Sequence, residues 1–347
     1  MELKKSYTHY LSVLKCIGMF SVICIHTFCT PFSYWSEQYS SIGMFLSYFL
    51  TNGLRAWAVP IFVMVSGSLF LDKSREISFS KLYGKYLLRL VFTLLTFGMI
   101  FALMERVFNA RTFSINMILL ALLDVYTGNL WDHLWFVYMI IGLYIITPFL
   151  KTYIEKANEN DIKYLLAVLF IFDCIVPFFN SITKVKFGFY IPVSSIWLFY
   201  YFLGYALRFE IIYINNTMAS LFIFAGLLWC AFGQFLPEMT KIEGAFLRYA
   251  GTNDLVAVFM ATGIFALVKE NCSSRTNFID TFINPMSFGV YVLHALFINF
   301  VLKVVHFTPE KHSYLLVWAI VFFVTSIGCV ITVWILRKIP FVKKYIL

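Results

Sequence analysis

Lys15 and His26 share one apolar stretch, residues 11–29, and both are side chains that a bilayer tolerates poorly. A lysine at the centre of a span costs about 2.5–3.5 kcal/mol on insertion scales, so ionisable groups kept inside a span call for a use. An imidazole titrates near neutral pH and suits proton abstraction from a hydroxyl, whereas an ammonium suits an anion. Eleven residues of helix complete nearly three turns, which sets the two side chains within about 20° of one face and about 16 Å apart along the axis. One helix can thus offer a cationic anchor and a base to the same cavity. Each residue alone has a plainer account: Lys15 as a boundary lysine that snorkels to the interface, His26 as a hydrogen-bond partner for a neighbouring helix.

Other residues could join them. In Phe79-Ser-Lys-Leu-Tyr-Gly-Lys-Tyr-Leu-Leu-Arg89, the cations Lys81, Lys85 and Arg89 recur every four residues and predict one basic stripe on a helix. Such a stripe could hold a phosphorylated cofactor or anchor on anionic lipid, and spacing does not choose. His294 is a second histidine inside an apolar run, preceded by Asn284-Pro285, which suits a helix start. His133 opens another run in Asp132-His-Leu-Trp135 and could meet a substrate arriving from outside, with Trp131 and Trp135 as interfacial anchors. The acids Glu105, Asp173 and Glu210 carry only a weak functional signal. The seven cysteines form no CxxC pair and read as small apolar filler, so neither a disulfide framework nor a metal site is expected. Walker, HExxH and GxSxG patterns are absent, and no inverted repeat is evident.

The elements that position these residues are membrane helices. The chain of 347 residues is 61% hydrophobic and 13% charged, against about 25% charged for soluble domains. Apolar runs near 9–29, 46–71, 86–105, 133–150, 164–179, 194–213, 217–236, 254–268, 287–305 and 313–336 predict an all-α, polytopic helical bundle of about ten spans. Residues 115–125 are too short to cross and read as interfacial or re-entrant. Lys4 and Lys5 precede the first run in the manner of a secretion signal. The run is long, however, carries Lys15 and His26, and lacks a cleavage site, so it is expected to be retained. With both termini in the cytoplasm, Lys4, Lys5, the basic 73–89 stretch, Lys151, Lys156, Lys163, Arg208, Lys269, Arg275 and the 337–344 cluster lie inside. The outside then holds only Arg106, Arg111, Lys184, Lys186, Lys241, Arg248 and Lys311. The net charge of +9 thus marks membrane boundaries and gives no reason to expect nucleic acid.

Several segments look familiar in order. Tyr10-Leu-Ser-Val-Leu-Lys-Cys-Ile-Gly-Met-Phe-Ser-Val-Ile-Cys-Ile-His-Thr27 resembles the first span of the integral membrane acyltransferase-3 family, whose pattern is Arg or Lys, ten residues, then His. Val59-Pro-Ile-Phe-Val-Met-Val-Ser-Gly67 resembles the second span. His133-Leu-Trp-Phe-Val-Tyr-Met-Ile-Ile-Gly-Leu-Tyr-Ile-Ile-Thr-Pro148, Tyr200-Tyr-Phe-Leu-Gly-Tyr205 and Ser287-Phe-Gly-Val-Tyr-Val-Leu-His294 are similar to further signatures. Ser12 stands where the family often has Asp, Lys15 where it often has Arg, and Tyr86 at the first position of its Arg-x-x-Arg pair.

The resemblance implies a single transmembrane acyltransferase domain over 1–347, in the plasma membrane, using acyl-CoA, most often acetyl-CoA, with no metal. Lys15, Lys85 and Arg89 would hold the donor's phosphates. His26 would be the general base toward a hydroxyl of a glycan or lipid-linked sugar, with His133, His294 and Trp135 binding or orienting substrate. The competing class is a transporter or flippase of lipid-linked sugars that performs no chemistry.

Overall fold

A computed structural model describes residues 9–76, 78–235, 254–272 and 278–347. Lys4, Lys5, Lys241, Arg248 and Arg275, used in the charge argument, lie outside the described residues. Those residues form twelve helices and no strand: α1 His9–Trp35, α2 Ser41–Phe70, α3 Phe79–Ala110, α4 Asn116–Thr127, α5 Asp132–Lys156, α6 Glu159–Thr183, α7 Ile196–Arg208, α8 Asn216–Phe232, α9 Leu255–Asn271, α10 Ile279–Val304, α11 Tyr314–Leu336 and α12 Pro340–Tyr345. Starts are set by local chemistry. Ser40 Oγ accepts from Gly43 N ahead of α2, Asn158 and Asp161 form a reciprocal capping box on α6, and Asn215 caps α8.

Every predicted span is a helix, but they are not equal. Seven of the helices, α1, α2, α3, α5, α6, α10 and α11, are long and apolar enough to cross a membrane. α7, α8 and α9 have 13, 17 and 17 residues. The shortness of α7 has a physical reason: nearly all of its side chains are buried, Tyr200 and Tyr201 completely, so protein rather than lipid surrounds it and it need not match the hydrocarbon thickness. The start of α10 also corrects the sequence reading. Asn284-Pro285 does not begin the helix; a π-wound turn, Ile279–Ile283, precedes it without a break. The wider turn accommodates the missing N–H and the ring of Pro285, and it carries Asp280 alongside α1.

α4 turns back rather than crossing. Asp124 near its C-terminus is held by Arg106 at the end of α3, Nε to Oδ2 at 2.6 Å and the terminal nitrogen to Oδ1 at 2.7 Å. Tyr138 of α5 donates to Val125 O. The guanidinium holds the Asp124 carboxyl below the usual carboxylate range.

The opposite end of the bundle gathers the segments expected inside. Lys73 donates to Ala157 O, Lys269 to Leu207 O and Glu210, Thr93 to Ile346 O, and Lys151 to Asp72 O and Arg75 O. At its centre Arg208 of α7 donates to Ser68 O at 2.7 Å and to Asp72 Oδ2 at 2.9 Å, with both charged side chains almost fully buried. Removing one partner leaves the other charge buried, which typically costs about 3–5 kcal/mol. Asp72→Ala is therefore expected to lower the thermal midpoint in detergent sharply, whereas an exposed control such as Glu159→Ala moves it little; equal midpoints for the two would show that the pair holds nothing together.

Candidate active site

α1, α5 and α10 each contribute one imidazole to a single cluster. The ring centre of His294 lies 4.9 Å from that of His26 and 4.8 Å from that of His133; His26 and His133 are 6.4 Å apart. His133 sits in the 3₁₀ turn Asp132–Leu134 that opens α5, and its Nε2 donates to Val292 O at 3.0 Å. His294, fully buried, donates through Nδ1 to Tyr291 O at 2.5 Å. A carbonyl only accepts, so these bonds assign the protonated nitrogen in each ring. The other nitrogen of His294, Nε2, is buried with no hydrogen-bond partner among the described residues. It offers a lone pair beside the His26 ring. His26 Nδ1 is 3.9 Å from Cys29 Sγ, one turn along α1.

Two cavities flank the cluster. The outer one, about 500 Å³, is polar and lined by His26 and His133 with Glu105, Arg106, Asp124, Asn129, Trp131, Asp132, Asn299 and Lys303. The inner one, about 120 Å³, is lined by Lys15, Ser66, Tyr144, Ser287, Phe288 and Tyr291, among others. Lys15 and His26 therefore do not face one cavity, as their spacing suggested. Tyr291 stands between: its ring faces the Lys15 cavity, packs near Phe62 and Phe136, and its hydroxyl donates to His133 O. Large aromatics fill the interval along α1 that helical periodicity leaves blank.

The surroundings of Lys15 also supply a carboxylate that the sequence lacked at position 12. Ser12 instead accepts from Asn284 Nδ2 at 3.0 Å. Asp280, one helical turn before Asn284, pairs with His9 Nδ1 at 2.5 Å and is close enough to Lys15 to interact electrostatically. Only the π-wound extension of α10 brings it there.

The remaining predicted residues divide. Arg89 lies over the ring of Phe288, 5.7 Å from its centre, beside the Lys15 cavity, and its Nε is buried without a hydrogen-bond partner among the described residues. Lys85 is exposed over Tyr86 and does not line that cavity, and the stripe it belongs to is not straight, because Leu82–Leu87 is π-wound. Trp135 is not gathered with the histidines; it is half-exposed on the outside of α5, its ring tilted against that of Trp197. Trp131 lines the cavity instead, its Nε1 donating to Glu105 at 3.2 Å. Arg106, Asp124, Glu105 and Lys303 are wall residues that the sequence did not single out: Arg106 read as an outside loop charge and Glu105 as an acid of weak signal. The clue available was Asp124, an acid within a short apolar run. Among the described residues, no group of three or more His, Cys, Asp and Glu is arranged to hold a metal ion.

An all-α bundle with seven helices long and apolar enough to cross a membrane, a polar cavity on one side of three clustered histidines and a smaller cavity holding Lys15 on the other defines a multi-pass membrane protein with an internal site. The family model described as an acyltransferase domain, acyltransferase family 3, matches residues 8–335, and the chain belongs to that family. No curated protein and no solved structure matches it.

Proposed function

We propose that this acyltransferase-family protein is an O-acyltransferase of the plasma membrane that moves an acyl group, acetyl in the simplest case, from acyl-CoA to a hydroxyl of a glycan or lipid-linked sugar. The observation that carries the reading is His26: an imidazole on the wall of a sugar-sized polar cavity, beside a second imidazole with an unengaged lone pair. The donor supplies an activated thioester. His26 takes the proton of the acceptor hydroxyl as its oxygen attacks the acyl carbon; the new C–O bond forms, the C–S bond breaks, and the proton passes from His26 to the departing thiolate. His294, fixed by its Nδ1 bond, packs against the His26 ring and limits its position, and His133 forms part of the wall of the acceptor cavity.

On the inner side, Lys15 and Arg89 fit anionic phosphates, since Arg89 keeps a buried N–H without a partner among the described residues and Asp280 fixes the position of the Lys15 end of α1. The inner cavity admits only part of a donor, so Lys85, further out, would meet its distal phosphates. Radiolabelled acetyl-CoA given to the purified protein in detergent, with a panel of free and lipid-linked glycans, is expected to yield free CoA and a labelled glycan ester. Movement of a glycan across a vesicle membrane with no acetyl-CoA consumed would replace this reading with that of a transporter.

A further inference from the structure

An acyl group bound for His26 has to leave the cavity that holds Lys15, and three rings from three helices stand in its way. Phe62 of α2, Phe136 of α5 and Tyr291 of α10 all line that cavity. Their ring centres are 6.0 Å apart for Phe62 and Phe136, 6.3 Å for Phe62 and Tyr291, and 5.4 Å for Phe136 and Tyr291. Rings about 4.5–7 Å apart are in contact, so the three form a closed collar. Directly beyond it are the histidines: the Tyr291 ring centre lies 6.0 Å from that of His133 and 5.8 Å from that of His294.

The collar is held from several sides. Tyr291 donates its hydroxyl to His133 O, and the side chains of Tyr291 and Phe136 are buried. Phe62 packs against Gly18 of α1, where a Cβ would stand 3.2 Å from two atoms of its ring. The cavity before the collar, about 120 Å³, is well below the lower end of ordinary ligand pockets, about 300 Å³.

The shape of the donor sets how far such a collar must open. The arm between the phosphates and the sulfur of CoA is a linear chain of methylenes and amides, and it follows the acyl group through. A ring that swings aside by the width of that chain also admits a linear acyl group ahead of it. A branch next to the carbonyl needs more room, which a close-packed interior does not give. We infer that Phe62, Phe136 and Tyr291 determine donor specificity by width, passing linear acyl groups and excluding those branched at the carbon next to the carbonyl. This rests on the acyltransferase reading, and one arm of the test needs no acyl transfer.

Butyryl-CoA and isobutyryl-CoA share composition and charge and differ only in shape. With the full-length protein in nanodiscs and an accepting glycan, kcat/KM is expected to favour butyryl by about 10–200-fold, the weight of one methylene in a tight apolar site. Both isomers should displace radiolabelled acetyl-CoA equally, because their phosphates bind before the collar. Phe62→Ala should bring the transfer ratio near one, and the milder Phe136→Leu should lower it even where Phe62→Ala does not fold. In the second arm, CoA thioethers carry a diazirine at the end of a linear or a branched four-carbon chain. The linear probe is expected to label 133 and 291–294, the branched one only the inner side of the collar. Equal use or equal refusal of the two isomers, a ratio unchanged in both variants, or labelling of the histidines by both probes or by neither would each overturn the inference. Linear-only labelling past the collar in protein that transfers nothing would strike the acyltransferase reading alone.

Discussion

His26→Ala is expected to reduce acyl transfer by about 10²–10⁴-fold, the usual weight of a positioned general base, while the protein inserts and purifies as the wild type does. The fold should survive because His26 has few obligations: a 3.9 Å contact with Cys29, ring contacts with its two neighbours, and otherwise an open cavity. Donor binding should also survive, since His26 does not line the cavity that holds Lys15; the thioester reaches His26 only where the Tyr291 side chain lets it pass. The informative pair is therefore acetyl-CoA affinity by equilibrium binding and single-turnover transfer, measured on the same preparation. Unchanged affinity with transfer lost identifies His26 with the chemical step. Wild-type-like turnover would remove it from the mechanism, and loss of both would mean that the two cavities are less separate than the Tyr291 wall implies.

What the sequence revealed, and what it hid, follows from the range of each signal. Apolar run length placed a helix at every predicted run, with ends off by up to eight residues, because membrane insertion depends on local composition. It could not tell that α7 is enclosed by other helices and so can be short, since enclosure is a tertiary fact. Helical spacing put Lys15 and His26 on one face, and both do face cavities, but periodicity carries no information about Tyr291, contributed by a helix more than two hundred residues later. The same limit concealed Asp280, which takes up the place of a carboxylate absent at Ser12. Trp131 and Trp135 looked equivalent as interfacial anchors. They part because Trp131 precedes the 3₁₀ turn that redirects the chain over the cavity, while Trp135 follows it on the outer face of α5.

Gly204→Ala is expected to prevent recovery of properly folded protein, or to lower its thermal midpoint severely, although it adds a single methyl group. A Cβ at Gly204 would stand 2.0 Å from Met64 O, and one at Gly67 would stand 1.9 Å from Tyr201 O. The two glycines mark the crossing of α2 and α7, each lying against the other helix's backbone, the small-residue contact by which membrane helices approach closely. Backbone atoms cannot rotate away as side chains can, so the helices themselves must separate. Overpacking usually costs about 1–3 kcal/mol, and a clash with main chain at a buried crossing belongs at or beyond the top of that range. The damage should spread, because α2 also carries Phe62 and Ser66 of the Lys15 cavity. Gly67→Ala should behave alike, and the double variant should cost less than the two singles added, since one separation of the helices relieves both clashes. Full additivity, or a wild-type midpoint for Gly204→Ala, would contradict so close a crossing. The contact also gives a physical reason for two segments that resemble family signatures yet lie far apart in sequence: the Ser66-Gly67 end of one and the Leu203-Gly204 of the other are two halves of a single helix crossing.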